Sequence, residues 1–346
     1  MEYTINDIRQ ISVALTNVCN MSCGYCPHSI PDAFPRSSNK NVFPYDLYLN
    51  IIDYLTNLPK LEFVNLTDYN EFFLTPELTT FYLPELKKRN LNYIIATNGS
   101  IYPKDIEYYS GHNPKYLVIG LQTITEKQYY DTNRLKNMPY NDYIDRVSKV
   151  INYFYDNCND TSISIEVAYN ANRALLYKIL GCSHNDAIPL FNEQKNHIKS
   201  FIEVISQKTG ICFHEGSNNN QRYQNQQILG YSSDGRIIFG GKQFIDTINF
   251  YEKMPSDRPP ICFSEIMVFM MNGDVNACCI DYKNKTVFAN VFDESMENIF
   301  QMYVQLINTM RTKGSPFECC RHCLGFNTYR EKLAKKFYSF IKKSVS

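Results

Sequence analysis

"CNMSCGYC", residues 19–26, places three cysteines on one short stretch with the spacing C-x3-C-x2-C. The stretch follows an apolar run, residues 11–15, that we predict to be the first strand. Thiolates are the usual protein ligands of iron–sulfur clusters, and three of them leave one iron without a protein ligand. Such an open position is typical of a reactive site. The spacing therefore favours a cluster over zinc or buried free cysteines.

The overall composition excludes several classes of partner. The 35 Lys and Arg residues balance 35 Asp and Glu residues, so no net field favours nucleic acid. No apolar run approaches the roughly 18–20 residues of a membrane helix, and no export signal opens the chain. We therefore expect a cytoplasmic protein with no nucleic-acid and no membrane partner. Its twelve cysteines are then reduced and available as metal or redox ligands.

Strand-length apolar runs alternate with helical patterns through the first two thirds of the 346 residues, which indicates βα units and a parallel α/β sheet. One helical pattern is "PYDLYLNIIDYLTNL", residues 44–58. An Asn- and Gln-rich loop, residues 216–227, is predicted to end this domain, which we place at residues 1–255. Six units form either a doubly wound sheet or a partial (β/α)6 barrel, and ligands bind at the C-terminal strand ends in both. The six predicted strands are residues 11–15, 61–66, 92–96, 116–121, 163–168 and 211–214.

The pattern changes after about residue 255. Two short apolar runs flank Asn272-Gly273, a pair that favours a hairpin turn. A helix capped by Ser295 follows, with an apolar stripe from Met296 to Met310. We predict a small hairpin-plus-helix module over residues 256–326. A basic amphipathic C-terminal helix is predicted over residues 327–346.

The N-terminal motif "LTNVCNMSCGYC" resembles the signature of the radical S-adenosylmethionine (SAM) superfamily in spacing and position. The resemblance implies a partial (β/α)6 barrel and a [4Fe-4S] cluster held by Cys19, Cys23 and Cys26. In that family SAM chelates the open iron and is reductively cleaved to a 5′-deoxyadenosyl radical, which abstracts hydrogen from the substrate. Tyr25 is then expected near the adenine.

Three further stretches are similar to landmarks of the same family. "TDYNEFF" stands where the family usually carries a GGEP-like turn, but it lacks the glycines and the proline. Its acidic residue Glu71, with Asp68 as the alternative, is expected to contact the SAM amino group. "ATNGS" resembles the family's TNG turn and places Thr97 and Asn98 near the cofactor, while Gln122 and Thr123 are weaker candidates.

The distal cysteines resemble the beginning of the SPASM/twitch pattern, which binds an auxiliary [4Fe-4S] cluster. Its implied ligands are Cys262, Cys278, Cys320 and Cys323, with Cys279 and Cys319 as the alternatives within each Cys-Cys pair. No cysteine follows Cys323, so the module resembles a twitch with one auxiliary cluster. A structural zinc ribbon is the competing interpretation of these cysteines.

Two [4Fe-4S] clusters and SAM imply a radical oxidoreductase or epimerase supplied with electrons by a reductase such as flavodoxin or ferredoxin. We expect a small polar metabolite as substrate, such as a sugar or aminocyclitol, with a peptide as the alternative. A non-enzymatic iron–sulfur carrier or zinc scaffold is the remaining hypothesis. Cys212 on the predicted sixth strand, or Cys182, is a candidate hydrogen donor. The candidates for base or substrate contact are His214, Glu215 and Arg222. Cys158 is interpreted as an incidental buried thiol.

Overall fold

A parallel sheet forms the centre of the protein. The computed structural model describes residues 2–30, 42–67, 69–132, 135, 137–168, 191–216, 222–223, 226–242, 251, 253–256, 265–323, 329 and 332–333. Six adjacent parallel strands carry the fold. They are β1 (Gln10–Val13), β2 (Phe63–Asn65), β3 (Tyr93–Thr97), β4 (Tyr116–Gln122), β5 (Ser162–Ala168) and β9 (Ile237–Lys242). Five of the six predicted strands are therefore confirmed, and the sheet is the α/β arrangement expected of a partial barrel.

The sixth predicted strand is wrong as a barrel strand. The run at residues 211–214 forms β6 (Phe213–Glu215), which pairs antiparallel with β8 (Gln226–Ser232) at the edge of the sheet. The short β7 (Arg222–Tyr223) also pairs with β8. The sixth parallel strand is instead β9, which pairs with β5. The predicted loop at residues 216–227 thus contains strand residues and does not end the sheet.

Seven α-helices accompany the described strands: α1 (Tyr45–Leu55), α2 (Leu83–Lys88), α3 (Glu126–Asp131), α4 (Tyr140–Asn157), α5 (Phe191–Thr209), α6 (Met296–Lys313) and α7 (Cys319–Cys323). Single turns of 3₁₀ helix lie at Ile5–Asp7, Pro27–Ser29, Phe72–Leu74 and Ile106–Ser110, and a π turn at Leu78–Tyr82 precedes α2. The helix predicted at residues 44–58 corresponds to α1, whose Ile51 and Leu55 are fully buried.

The two faces of the sheet have different chemistry. Strand residues on the helix-covered face are apolar and buried, such as Leu117 and Ile119 of β4. Phe239 of β9 contacts Phe201 of α5, with ring centroids 6.3 Å apart. On the opposite face, which we call the inner face, the rings of Phe63 and Tyr116 meet at 6.0 Å across the intervening β3. Burial of the apolar residues on the helix-covered face provides the main driving force for folding.

The C-terminal region continues the same sheet. Its first strand, β10 (Val268–Phe269), pairs parallel with β1, and β11 (Asp274–Asn276) and β12 (Val287–Asn290) follow in antiparallel order. The predicted hairpin turn is confirmed, since Gly273 adopts a φ of 88° that suits glycine. Ser295 caps α6 by accepting a hydrogen bond from Asn298 N at 3.2 Å, as predicted.

Helix α6 fastens this region to the start of the chain. Phe300 of α6 stacks near Tyr54 of α1 with ring centroids 4.6 Å apart. The Asn308 side chain bonds both the N–H and the carbonyl of Tyr3, at 2.8 and 2.9 Å. The predicted C-terminal helix lies largely outside the described residues. None of the helices in the described part of the chain has an apolar stretch that would span a bilayer.

Candidate active site

The cysteine loop follows β1 at the C-terminal edge of the parallel strands. Cys23 is buried, whereas Cys19 and Cys26 are partly exposed. A turn closes between Cys26 N and Cys23 O at 2.9 Å, and Gly24 N donates to Thr132 O at 3.0 Å, which anchors the loop. Met21 N donates to Cys19 Sγ at 3.4 Å. Backbone donors to sulfur stabilise a thiolate, so this loop suits a cluster ligand set.

A single metal ion requires tighter grouping than an iron–sulfur cluster does. In the described part of the chain no three His, Cys, Asp or Glu side chains are grouped for one ion. In a [4Fe-4S] cluster the thiolates bind different iron atoms, so their sulfurs need not converge on one point. Three thiols on one loop, with donors to sulfur, fit the cluster that their spacing predicts.

The turn after β3 is bonded to the cysteine loop. Asn98 Nδ2 donates to Asn20 Oδ1 at 3.0 Å and lies 3.9 Å from Cys19 Sγ. Asn20 Nδ2 in turn donates to Ser100 Oγ at 2.8 Å. The two stretches that resembled family landmarks are therefore neighbours in space, and a contact of Asn98 with the cofactor stays a prediction.

The backbone conformation and close surroundings of Gly99 explain why this turn has a glycine at that position. Its φ is +75°, and a Cβ built there would lie 2.7 Å from Val147 Cγ2 of α4. A side chain at this position is therefore excluded by both backbone conformation and space. Tyr143 and Arg146 of α4 hold the same turn, because they donate to the carbonyls of Asn98 (2.7 Å) and Ser100 (3.0 Å).

Glu71 is fully buried beneath these loops. Its carboxylate accepts hydrogen bonds from Thr97 Oγ1 at 2.7 Å, Asn98 N at 2.6 Å and Phe73 N at 3.3 Å. Its own N–H donates to Val18 O at 2.8 Å. The structure thus gives Glu71 a supporting position between three loops, and a direct contact with the SAM amino group stays a prediction. Thr97 shares this supporting position.

A polar inner face is the feature that the sequence reading missed. Ser12, Ser164 and Glu166 are buried there, and Asn65 Nδ2 donates to Ser12 Oγ at 3.2 Å. Ser164 Oγ has no hydrogen-bond partner within the described residues. The signal was available in "SISIEVA" of β5, where polar residues alternate with apolar ones at the strand period.

Glu166 stands between two glycines. In the register of the sheet it pairs with Gly120 of β4 on one side and with Gly240 of β9 on the other. Neither neighbour has a side chain, so the inner face carries only the Glu166 side chain at this level of the three strands. Glu166 lies near the C-terminal strand ends, the edge from which the cysteine loop also rises.

Cys212, His214 and Glu215 do not lie on a barrel strand, which corrects the basis of their prediction. All three are exposed: His214 and Glu215 lie on the edge strand β6, two strands beyond β9, and Cys212 directly precedes that strand. His214 Nε2 lies 3.0 Å from Ser233 Oγ, and Glu215 forms an ion pair of 3.1 Å with Lys199. The misassignment arose because residues 211–214 and β9 both begin with apolar residues, and only long-range pairing distinguishes them. Their catalytic roles stay a prediction.

Three of the distal cysteines, Cys319, Cys320 and Cys323, lie on α7, and Cys278 lies near Cys319. Cys320 accepts a hydrogen bond from Ser315 Oγ at 3.0 Å. Hydrogen bonds from Cys319 and Ser315 lower the pKa of Cys320 to about 7, although burial opposes this. The pKa of Cys319 is raised by its hydrogen bond to Cys320 and by burial, and the nearby Asp281 and Cys278 raise it further. The lowered pKa of Cys320 favours the thiolate form that a cluster ligand requires, whereas the raised pKa of Cys319 favours its protonated form.

The remaining predicted residues fall at strand ends, in the core or outside the described part of the chain. Asp68, Cys182 and Cys262 lie outside the described residues. Gln122 ends β4, and Arg222 begins β7. Tyr25 is half-buried and packs against the core, Thr123 is buried, and Cys158 is fully buried, as interpreted from the sequence.

Comparisons with solved structures identify the fold. The AdoMet-bound native anSMEcpe matches with a TM-score of 0.51 and 12% identity, over 97% of this chain and 98% of that one. SuiB of Streptococcus suis bound to S-adenosylmethionine matches with a TM-score of 0.50 and 15% identity, over 94% and 71%. BtrN in complex with AdoMet and 2-DOIA matches at 0.47 and 12%, over 90% and 89%. No curated protein matches the sequence.

Comparison with family models identifies the two parts of the chain. The model of the radical SAM superfamily matches residues 13–167, which include the first cysteine loop, β2 to β4 and nearly all of β5. The model of the SPASM iron–sulfur cluster-binding domain matches residues 262–324, which include the distal cysteines. This second match favours iron–sulfur binding over a zinc ribbon. The chain is a radical SAM enzyme with a C-terminal SPASM iron–sulfur domain.

Proposed function

We propose that this enzyme dehydrogenates or epimerises a small polar metabolite, such as a sugar or an aminocyclitol, on the inner face of its parallel sheet. One auxiliary [4Fe-4S] cluster in the SPASM domain would serve electron transfer. The observation that carries the proposal is the polar inner face, on which Ser12, Ser164 and Glu166 are buried and Asn65 donates a hydrogen bond to Ser12. A substrate rich in hydroxyl or amino groups would form hydrogen bonds with this face, whereas an apolar one would offer no partner to the Ser164 hydroxyl, which has none among the described residues.

The bound groups would supply the radical chemistry. When bound, the first cluster and SAM would supply one-electron cleavage of SAM and abstraction of a substrate hydrogen, and the auxiliary cluster would supply an acceptor for the electron that dehydrogenation leaves once the hydroxyl proton is released. Cys19, Cys23 and Cys26 would hold the first cluster. Asn98 would keep their loop in place through its hydrogen bond to Asn20. We further propose a cytoplasmic location with flavodoxin or ferredoxin as electron donor.

The substrate would contact β5. Ser164 supports this, because its buried hydroxyl has no partner in the described part of the chain and would gain one from a bound substrate. The Glu166 carboxylate would accept hydrogen bonds from hydroxyl or ammonium groups. We expect Glu166→Gln and Ser164→Ala to raise KM for the true substrate. Neither should alter SAM cleavage in the absence of substrate.

We propose Cys262, Cys278, Cys320 and Cys323 as the ligands of the auxiliary cluster, because these cysteines resemble the SPASM/twitch pattern. Iron content tests this assignment: the reconstituted wild type should bind about eight irons for two [4Fe-4S] clusters. Cys278→Ala should reduce iron to about four per chain, whereas the matched Cys279→Ala should leave it near the wild-type value. The opposite pattern would assign Cys279 instead.

Anaerobic reconstitution and reduction with dithionite test the reaction class. SAM should yield 5′-deoxyadenosine with the wild type and none with Cys23→Ala. An intact pool of SAM in the presence of a fully clustered wild-type enzyme would refute the proposal.

Deuterium transfer into 5′-deoxyadenosine then identifies the substrate. We expect transfer from deuterated sugars or aminocyclitols. Transfer from peptides alone would replace the metabolite with a peptide substrate.

A further inference from the structure

Tyr69 is bonded to both cysteine-bearing loops. It lies between β2 and Glu71, and its carbonyl accepts a hydrogen bond from His28 Nε2 at 2.6 Å. His28 is two residues beyond Cys26. At the other end, the Tyr69 phenol donates to the carbonyl of Ile280 at 2.9 Å. Ile280 is two residues beyond Cys278, so one residue joins the surroundings of the two cluster sites.

The contact with His28 has a defined polarity. A carbonyl oxygen only accepts, so the proton of this hydrogen bond resides on Nε2 of His28. The ring belongs to the 3₁₀ turn Pro27–Ser29 that directly follows Cys26. The carbonyl of His28 accepts from Ser22 Oγ at 3.2 Å, which ties the turn back to the cysteine loop. Tyr69 is thus connected to the whole loop and not to one exposed side chain.

The contact with the auxiliary loop includes ring packing. Tyr69 meets Tyr282 edge to face with centroids 6.4 Å apart, and Tyr282 meets Tyr251 in the same way at 5.8 Å. The Tyr251 phenol donates to Asp281, which also accepts from Thr286 Oγ1 at 2.8 Å. Edge-to-face aromatic pairs of this kind add stability beyond their buried area. Three rings therefore connect Tyr69 to the segment that follows Cys278.

The neighbours of Tyr69 are fastened to the first loop. Asn70 Nδ2 donates to Thr16 O at 3.3 Å, and Glu71 N donates to Val18 O at 2.8 Å. With the His28 contact, three successive residues hold the N-terminal cysteine loop. The Tyr69 phenol is then the group at which a single-atom change removes the hydrogen bond to the auxiliary loop and leaves the ring contact with Tyr282 in place.

We propose that Tyr69 is a positioning residue that couples the SAM-binding cysteine loop to the auxiliary-cluster loop, so that order imposed on the first loop by SAM is transmitted to the second. The inference rests on the proposed function, in which the substrate is oxidised beside the first site and its electron passes to the auxiliary cluster. Both loops lie at the ends of strands, where local opening is easiest. Because Tyr69 contacts both loops, it restricts their relative motion and keeps the distance between them suited to electron transfer.

Hydrogen–deuterium exchange of the reconstituted enzyme, with and without SAM, tests this coupling. In the wild type, SAM should slow the exchange of amides 281–286 about fivefold, the factor expected of one retained hydrogen bond. Tyr69→Phe keeps the ring and removes the hydroxyl, so this protection should disappear while protection of residues 19–30 remains. Tyr282→Phe is the matched control, because no hydrogen bond of that hydroxyl is present among the described residues, and it should behave as the wild type does.

A second pair of variants cuts the connection at its other end. His28→Leu should also abolish the response of amides 281–286, whereas His28→Gln should preserve it because its amide can donate to the Tyr69 carbonyl. Iron content and SAM cleavage are measured on the same samples. Equal SAM protection in Tyr69→Phe and the wild type, or no protection in a wild type that cleaves SAM, would overturn the coupling. A wild type that fails to cleave SAM would refute the proposed function instead.

Discussion

Replacing Glu71 with Gln tests whether this buried carboxylate organises the loops around the first cysteine motif. One oxygen accepts from Thr97 Oγ1 and Phe73 N, and the other accepts from Asn98 N. A glutamine offers one acceptor oxygen and one NH₂ group. Since an NH₂ group cannot accept from the Asn98 N–H, the substitution places two donors face to face in a fully buried site.

The expected cost follows from these contacts. A hydrogen bond to a charged acceptor contributes about 1.5–3 kcal/mol, and a buried donor without a partner costs about 1–3 kcal/mol. The two effects overlap, because both concern the Asn98 N–H, and we expect a net loss of about 3 kcal/mol in local stability. That loss corresponds to roughly a hundredfold increase in the opening of the turn.

Native-state hydrogen exchange measures this opening directly. The relevant amides are those of Asn98, bonded to Glu71, and of Gly99 and Ser100, which are bonded within the turn at 3.0 and 2.9 Å. Each should exchange roughly a hundredfold faster in Glu71→Gln, while global helical content stays unchanged.

Glu62→Gln is the matched control for this prediction. Its carboxylate forms an exposed ion pair with Arg9, and such pairs contribute about 0–1 kcal/mol. We expect no change at the turn in that variant. Unchanged protection of Asn98 in Glu71→Gln would show that the carboxylate does not hold this loop, and would refute the supporting role given to it.

Two further predictions concern thiols and turns. Burial raises the pKa of Cys158 to about 11, so its thiol stays protonated at pH 8. We therefore expect iodoacetamide to label the exposed Cys212 in the clustered enzyme and to leave Cys158 unmodified until the protein unfolds. Peptide mass spectrometry measures the labelling of both cysteines. Early labelling of Cys158 would contradict this burial. Gly273→Ala should lower the thermal midpoint more than Gly235→Ala, because both have positive φ but only a Cβ at Gly273 would meet Phe292, at 2.4 Å. Equal midpoints would contradict the steric contribution, and Phe292→Ala in the Gly273→Ala background should remove the difference.

The first cysteine loop was predictable because its ligands are local in sequence. Cys19, Cys23 and Cys26 lie within eight residues, so their side chains stay close to one another in any fold. The same holds for the turn at Gly273 and for the cap at Ser295, which depend on near neighbours. The five strands β1 to β5 were also predictable, because burial of one face of a strand requires apolar residues at regular positions in its sequence.

Pairing between distant residues decided which run forms the sixth parallel strand, a feature that the sequence alone does not predict. Residues 211–214 and β9 both begin with apolar residues, and only hydrogen bonding to β5 makes β9 the sixth parallel strand. The position of Cys212, His214 and Glu215 at a sheet edge follows from that one pairing. Strand order is set by contacts between residues far apart in the chain, which no local period encodes.

The sequence by itself determined the chemistry that this protein is able to support: three thiols on one loop, a second cysteine set and a parallel α/β scaffold. The tertiary structure alone decided how these parts are joined. Tyr69 acts between two loops that are more than two hundred residues apart in the chain, Ile280 being 211 residues away. Glu71 supports a turn that begins 26 residues later. Such contacts form because strand ends gather at one edge of the sheet, and that gathering is a property of the folded chain.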